Sequence, residues 1–169
     1  METRIRQKVK GTMKVIKANK FVSIIAVLGL VLSIQSCGEQ PYYDQAHTFE
    51  DQSWDKGDTA IFEVNVDDSV KVHDFILSLR TTKEYLYSDL WIYILVTAPD
   101  GTTSKVAQKI PLANPDGSWI GKVSGTLVES RLRFDSKAFP IKGKYVFKLL
   151  NATQEESIPY VEDISLRIE

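Results

Sequence analysis

Few side chains in this 169-residue sequence have the types and spacing that chemistry needs. There is one cysteine, Cys37, and two histidines, His47 and His73, neither set in a motif that makes a general base or a metal ligand. Carboxylates stand in adjacent pairs, Asp67-Asp68, Glu155-Glu156 and Glu162-Asp163, in turn-like or strand-starting surroundings where solvation explains them. Hydrolysis of a glycoside would need two carboxyls facing each other across a cleft, so that alternative is a matter of geometry and not of spacing. Asp116-Gly117-Ser118 offers oxygens of the kind calcium takes, but it lacks the spaced Asp/Asn series of a calcium loop and has the composition of a simple turn. Trp91 falls in an apolar strand and is expected in the core. Trp54 and Trp119 fall in loops, open to stacking on sugar rings or to anchoring a protein interface. Asn114, Asp116, Trp119 and Trp54 therefore form the candidate interaction site. No catalytic residue, metal ligand or non-covalent cofactor is expected.

The cysteine has a clear chemical role in its own context. Seven basic residues between Arg4 and Lys20 precede an apolar run, Phe21 to Ile34, that stops at Gln35-Ser36-Cys37. The run has 14 residues, where a membrane-spanning helix needs roughly 20. This is the pattern of a bacterial lipoprotein signal peptide, with residues 1–36 removed and a diacylglyceryl thioether placed on the Cys37 sulfur. Gln35 and Ile34 are relaxed versions of the usual residues before that cysteine, and Met13 offers an internal start. The basic flank stays cytoplasmic, so the chain beyond Cys37 is exported. Gly38 after the cysteine favours the outer membrane.

Removing residues 1–36 takes away seven of the 21 basic residues and one of the 22 acidic ones, leaving 14 and 21 and a net charge of −7. An acidic exported domain is a poor partner for a phosphate backbone, which excludes nucleic acid. With its sole cysteine lipidated the domain has no disulfide, and packing and hydrogen bonds must hold it.

Residues 37–58 read as the lipidated cysteine and a tether, becoming ordered near His47, Phe49 and Trp54. Residues 59–169 read as one β domain. Ala60, Phe62, Val64 and Val66 alternate with polar residues, as do Phe75, Leu77 and Leu79, and Asp67-Asp68-Ser69 turns between the two strands. Leu90 to Thr97 is apolar on both faces, predicting a central strand covered on both sides. Pro99-Asp100-Gly101 closes a hairpin into Thr102 to Ile110. Further strands follow at 126–134, 143–150 and 161–169. Seven short strands without helical periodicity predict an antiparallel β-sandwich of immunoglobulin-like or jelly-roll type.

Tyr43-Asp44-Gln45, Trp54-Asp55-Lys56-Gly57-Asp58, Leu79-Arg80-Thr81-Thr82, Tyr85-Leu86-Tyr87-Ser88-Asp89-Leu90, Asn114 through Gly121 and Phe139-Pro140 before Gly143-Lys144-Tyr145 together resemble the gliding motility lipoprotein GldH family of Bacteroidetes. Leu86 stands where that family's block has proline, a departure expected to loosen the turn before Leu90. The resemblance implies a lipid-anchored (palmitate-bearing) cell-envelope protein needed for gliding, acting beside motility and secretion proteins, with no reaction and no small-molecule substrate. A carbohydrate-binding envelope lipoprotein is the alternative.

Overall fold

The computed structural model describes residues 40–169, of which Pro41–Glu169 form a compact unit. The expected signal peptide and the lipidation site Cys37 lie outside the described residues. Eleven strands follow in chain order: β1 (Tyr43–Thr48), β2 (Ser53–Asp55), β3 (Ala60–Val66), β4 (Val72–Thr82), β5 (Asp89–Thr97), β6 (Thr103–Pro111), β7 (Lys122–Ser124), β8 (Leu127–Ala138), β9 (Gly143–Asn151), β10 (Ser157–Pro159) and β11 (Val161–Ile168).

They form an antiparallel β-sandwich, as the alternation predicts. One sheet has five strands in the order β1-β11-β4-β8-β7 and the other four in the order β3-β9-β5-β6; β10 and β2 make a small third ladder. The core lies between the two large sheets because each presents one apolar face inward. Ala60, Phe62, Val64 and Val66 are buried and Ile61, Glu63 and Asn65 exposed, the signature of a strand covered on one side. Phe75, Leu77 and Leu79 face Leu90, Ile92 and Ile94 across the interior, all of them buried.

The connection at Asp67-Asp68-Ser69 carries the chain from one sheet to the other, since β3 pairs with β9 while β4 pairs with β11 and β8. The hairpin at Pro99-Asp100-Gly101 forms as expected. Gly101 adopts φ 86°, its N–H donates to Ala98, and the Asp100 carboxylate accepts the Thr102 N–H at 2.9 Å.

Two expectations need correcting. Residues 43–58 are integral to the domain and not a tether. β1 pairs with β11 from Tyr43 opposite Ile168 to Thr48 opposite Asp163. Its mostly polar sequence hides the strand because an edge strand is held by its backbone ladder more than by buried side chains. Trp91, expected in the core, is 45% exposed. β5 is central within its sheet, between β9 and β6, but among the described residues no further layer of strands covers the outer face of that sheet. Cross-strand lysines shade its apolar residues instead, with the Lys105 ammonium 3.7 Å from the Tyr93 ring centre.

Candidate functional site

Trp54 leaves the expected interaction site for the core. It is fully buried, stacks on Phe49 with 4.6 Å between ring centres, and donates its indole N–H to the Asp58 carbonyl at 2.9 Å. The turn Asp55-Lys56-Gly57-Asp58 puts that carbonyl in reach, closed by the Asp58 N–H on the Asp55 carbonyl. Nothing in the sequence around Trp54 marks it as core, because its partners come from Phe49 and from Ile158 of β10, which pairs with it across the small ladder.

The other candidates stay together in one loop. The Asn114 N–H donates to the Ser118 carbonyl, its side-chain amide meets the Ser118 hydroxyl at 3.0 Å, and the Asp116 carboxylate accepts both the Ser118 hydroxyl (2.6 Å) and its N–H (2.9 Å). Those bonds hold the Asp116 carboxyl below the usual carboxylate range, the hydroxyl having the larger effect. The turn thus engages one Asp116 oxygen and the Ser118 hydroxyl within itself. Among the described residues no three His, Cys, Asp or Glu side chains converge as metal ligands. Trp119 is half-buried, bridged to Ala113 and packed against the core edge, with Ile120 donating to the Leu112 carbonyl. It is the floor of the loop more than its tip.

The histidines are placed by packing. His47 Nε2 lies 3.0 Å from an Asp58 carboxylate oxygen. His73 is buried beside Tyr42 and Phe139, and its Nδ1 donates to the Glu169 carbonyl at 3.2 Å. Its Nε2 has no hydrogen-bond partner among the described residues. The carboxylate pairs diverge. Asp67 accepts the Tyr42 hydroxyl at 2.9 Å while Asp68 caps the Val70 N–H; Glu162 accepts the Gln52 amide while Asp163 is gripped by Arg80.

What sequence reasoning missed is a groove of about 390 Å³ at one end of the sandwich, formed where residues 85–91 meet residues 153–159. Tyr87 and Trp91, both about half exposed, flank it, and Tyr85 and Ile158 make its buried floor. Both of its walls are pinned. Tyr85 meets Tyr87 edge-on at 5.7 Å and donates its hydroxyl to the Asp89 carbonyl, and burial raises the pKa of that phenol. On the other wall the buried Asn151 side chain accepts the Thr153 N–H at 2.7 Å and donates to the Glu155 carbonyl. Leu86 is 76% exposed, yet the turn it was expected to loosen is held by Tyr85, whose N–H donates to Thr82. Of the acids at the groove, Asp89 is ion-paired with Lys109 at 2.9 Å.

Residues 41–168 match the family described as GldH lipoprotein. A gliding motility lipoprotein GldH from Flavobacterium johnsoniae is 28% identical over 152 residues, covering 86% of this chain and 94% of that protein. A gliding motility lipoprotein GldH homolog from Christiangramia forsetii is 24% identical over 155 residues, covering 87% and 94%. A crystal structure of a protein from Sulfurospirillum deleyianum covers 75% of this chain and 96% of its own at 12% identity, with a TM-score of 0.37, a likeness too distant to bear on function. With the match running from the first residues of the sandwich to the end of β11, the chain belongs to the GldH lipoprotein family.

Proposed function

We propose that this gliding-motility lipoprotein is a non-enzymatic adaptor. A lipid on Cys37 holds it at the outer membrane, and the aromatic end of its sandwich docks a protein of the motility or secretion apparatus. The observation carrying this reading is the pair Tyr87 and Trp91, both about half exposed, flanking one groove with pinned walls. Rigid, exposed aromatic side chains are the usual anchors of protein interfaces, because they bury much area at little entropic cost. Elsewhere Val70 and Ile141 are exposed as single residues in turns, which is ordinary for a protein surface.

The test is a Tyr87→Ser, Trp91→Ser double variant in a strain lacking the protein. Its thermal midpoint should stay near that of the parent, while spreading on agar and cross-linking to envelope proteins fall away together. A stable double variant that restores full spreading would defeat docking at this end.

A second reading follows from the polar rim. Thr153, Gln154, Glu155 and Ser157 set hydroxyl, amide and carboxylate groups beside the Trp91 and Tyr87 faces, the composition of a sugar subsite. This moves the carbohydrate alternative away from Trp54, which is sealed in the core, and onto Trp91. Binding of neutral oligosaccharides on a glycan array, lost in the same double variant, would favour it over the adaptor.

A further inference from the structure

A second opening lies between the sheets, where the lower halves of β6 and β8 part. Side chains of β6 that point inward should be covered by the five-stranded sheet, as Ile110 is; yet Val106 is 56% exposed and Ser104 also lies open. The ladder of β4 and β8 is irregular at this level. Their register shifts between Phe75 and Ile76, leaving Phe134 as the extra residue of a bulge, and Phe134 lines the gap. The gap has a volume of about 280 Å³, and its walls are Phe75, Ile94, Val106, Phe134, Phe139 and Phe147.

Its shape and its polarity together select a ligand. The slot runs along β6 from Ser104 to Gln108, about 14 Å at the usual rise of a strand, between apolar walls. An elongated apolar space of that length suits an extended hydrocarbon chain. Three polar groups at the rim are already engaged within the protein. Lys137 pairs with Asp135 at 2.6 Å, the Asp135 carboxylate also accepts the Ser136 N–H, and the Gln108 amide donates to the Lys109 carbonyl. Apolar walls hold water weakly, and an apolar cavity about half this size, ~150 Å³, stays dry and takes up benzene.

We propose that the slot between β6 and β8 binds a single extended alkyl chain, as carried by a fatty acid or a membrane lipid, with the head left at the rim beside Thr102 and Lys137. This is independent of the adaptor reading, because the slot and the Tyr87/Trp91 groove share no residue.

The probes are octanoate, decanoate and dodecanoate below their micellar concentrations, and a one-chain lysophosphatidylethanolamine. They are titrated into the protein with the Phe and Val side chains followed by NMR. Affinity should rise about fourfold per added methylene while the chain still gains buried length, with shifts confined to Val106, Phe134 and Phe139. Tighter binding of the lysolipid than of the matched fatty acid assigns the chain to a membrane lipid; the reverse assigns it to a free acid. Val106→Trp, built on an exposed side chain that points into the slot, should abolish binding without lowering the thermal midpoint. Ser104→Tyr is a second block from the adjacent inward position, and Lys105→Glu on the opposite face of β6 should change nothing. Absence of binding by all four probes overturns the proposal. So does binding that survives in a folded Val106→Trp or Ser104→Tyr protein, or an added extended peptide that protects the β6 amides while the alkyl probes leave the slot unperturbed.

Discussion

Arg80 stands directly across the β4–β11 ladder from Asp163 and grips its carboxylate sideways, the guanidinium Nε lying 2.8 and 3.0 Å from the two oxygens and a terminal nitrogen closing the fork. The pair sits where the β11 register shifts between Val161 and Asp163. Asp163 is almost wholly buried although it points away from the core, because Arg80 lies over it. The hydrogen bond raises the Arg80 pKa, keeping the cation fixed at every accessible pH. Removing the cover strands a buried anion. Exposed pairs contribute up to about 1 kcal/mol and breaking a buried pair costs ~3–5. With the Arg80 side chain 45% exposed and that of Asp163 3%, Arg80→Ala should cost about 2 kcal/mol. Urea unfolding of the two single variants and of the double variant with Asp163→Asn measures the coupling.

Trp54 and Trp91 should answer oppositely to truncation. Trp54→Ala opens a cavity beneath Phe49 and loses about 3–5 kcal/mol, enough to unfold much of a domain with ordinary stability. Trp91→Ala, on an uncovered sheet face, should lower stability by less than about 1 kcal/mol. Calorimetric scans of both proteins check the ranking; equal losses would contradict the placement of the two rings.

Gly121 is a close-approach glycine. A Cβ there would lie 2.3 Å from the Glu129 carbonyl oxygen and 2.6 Å from the Ser130 hydroxyl, and the first of these is backbone that cannot swing aside. Gly121→Ala should therefore push β7 off β8 and cost about 1–3 kcal/mol. Faster amide exchange at Lys122–Ser124, where the β7 ladder is, would report it before global unfolding does.

Acid should weaken the domain through its turns. Asp68, Asp100 and Asp116 each accept backbone or hydroxyl hydrogen bonds that lower their pKa below the ordinary 3.8. Asp74 is lowered by Ser136 and Arg133. A carboxyl with a depressed folded pKa stabilises the fold above its unfolded pKa, and that contribution is lost as pH falls through the folded one. The thermal midpoint should thus be flat from pH 7 to about 5 and fall progressively below about 4. Asn replacements at 100 and 116, which keep an oxygen acceptor, should flatten that fall.

Cys37→Ser should release the domain from the membrane or block its processing. One acyl chain gives marginal membrane binding and two give stable anchoring, at about 0.8 kcal/mol per buried methylene. Fractionation of envelopes decides it, and a Cys37→Ser protein still pelleting with outer membrane after carbonate washing would count against lipid anchoring.

The sequence alone determined the sandwich, the strands β3 to β6, β8, β9 and β11 within a few residues, and the family. Where one face of a strand is buried and the other wet, as in Ala60 to Val66, the period of two is written into the residues themselves. It did not determine which face of β5 meets the core, because Trp91, Tyr93 and Leu95 are as apolar as Leu90, Ile92 and Ile94; only the position of the opposite sheet separates them. β1 stayed hidden for the converse reason, since its strand is fixed by β11, more than 100 residues away in the chain, and not by its own pattern. Tertiary structure alone decided the two candidate sites. The groove joins residues 85–91 to 153–159 and the alkyl slot joins β6 to β8, so each is a property of side chains that meet across long separations. Local spacing records what a strand does with its neighbours in the chain; it holds no record of a gap between two sheets, whose walls come from Phe75, Val106, Phe134 and Phe147 on four different strands.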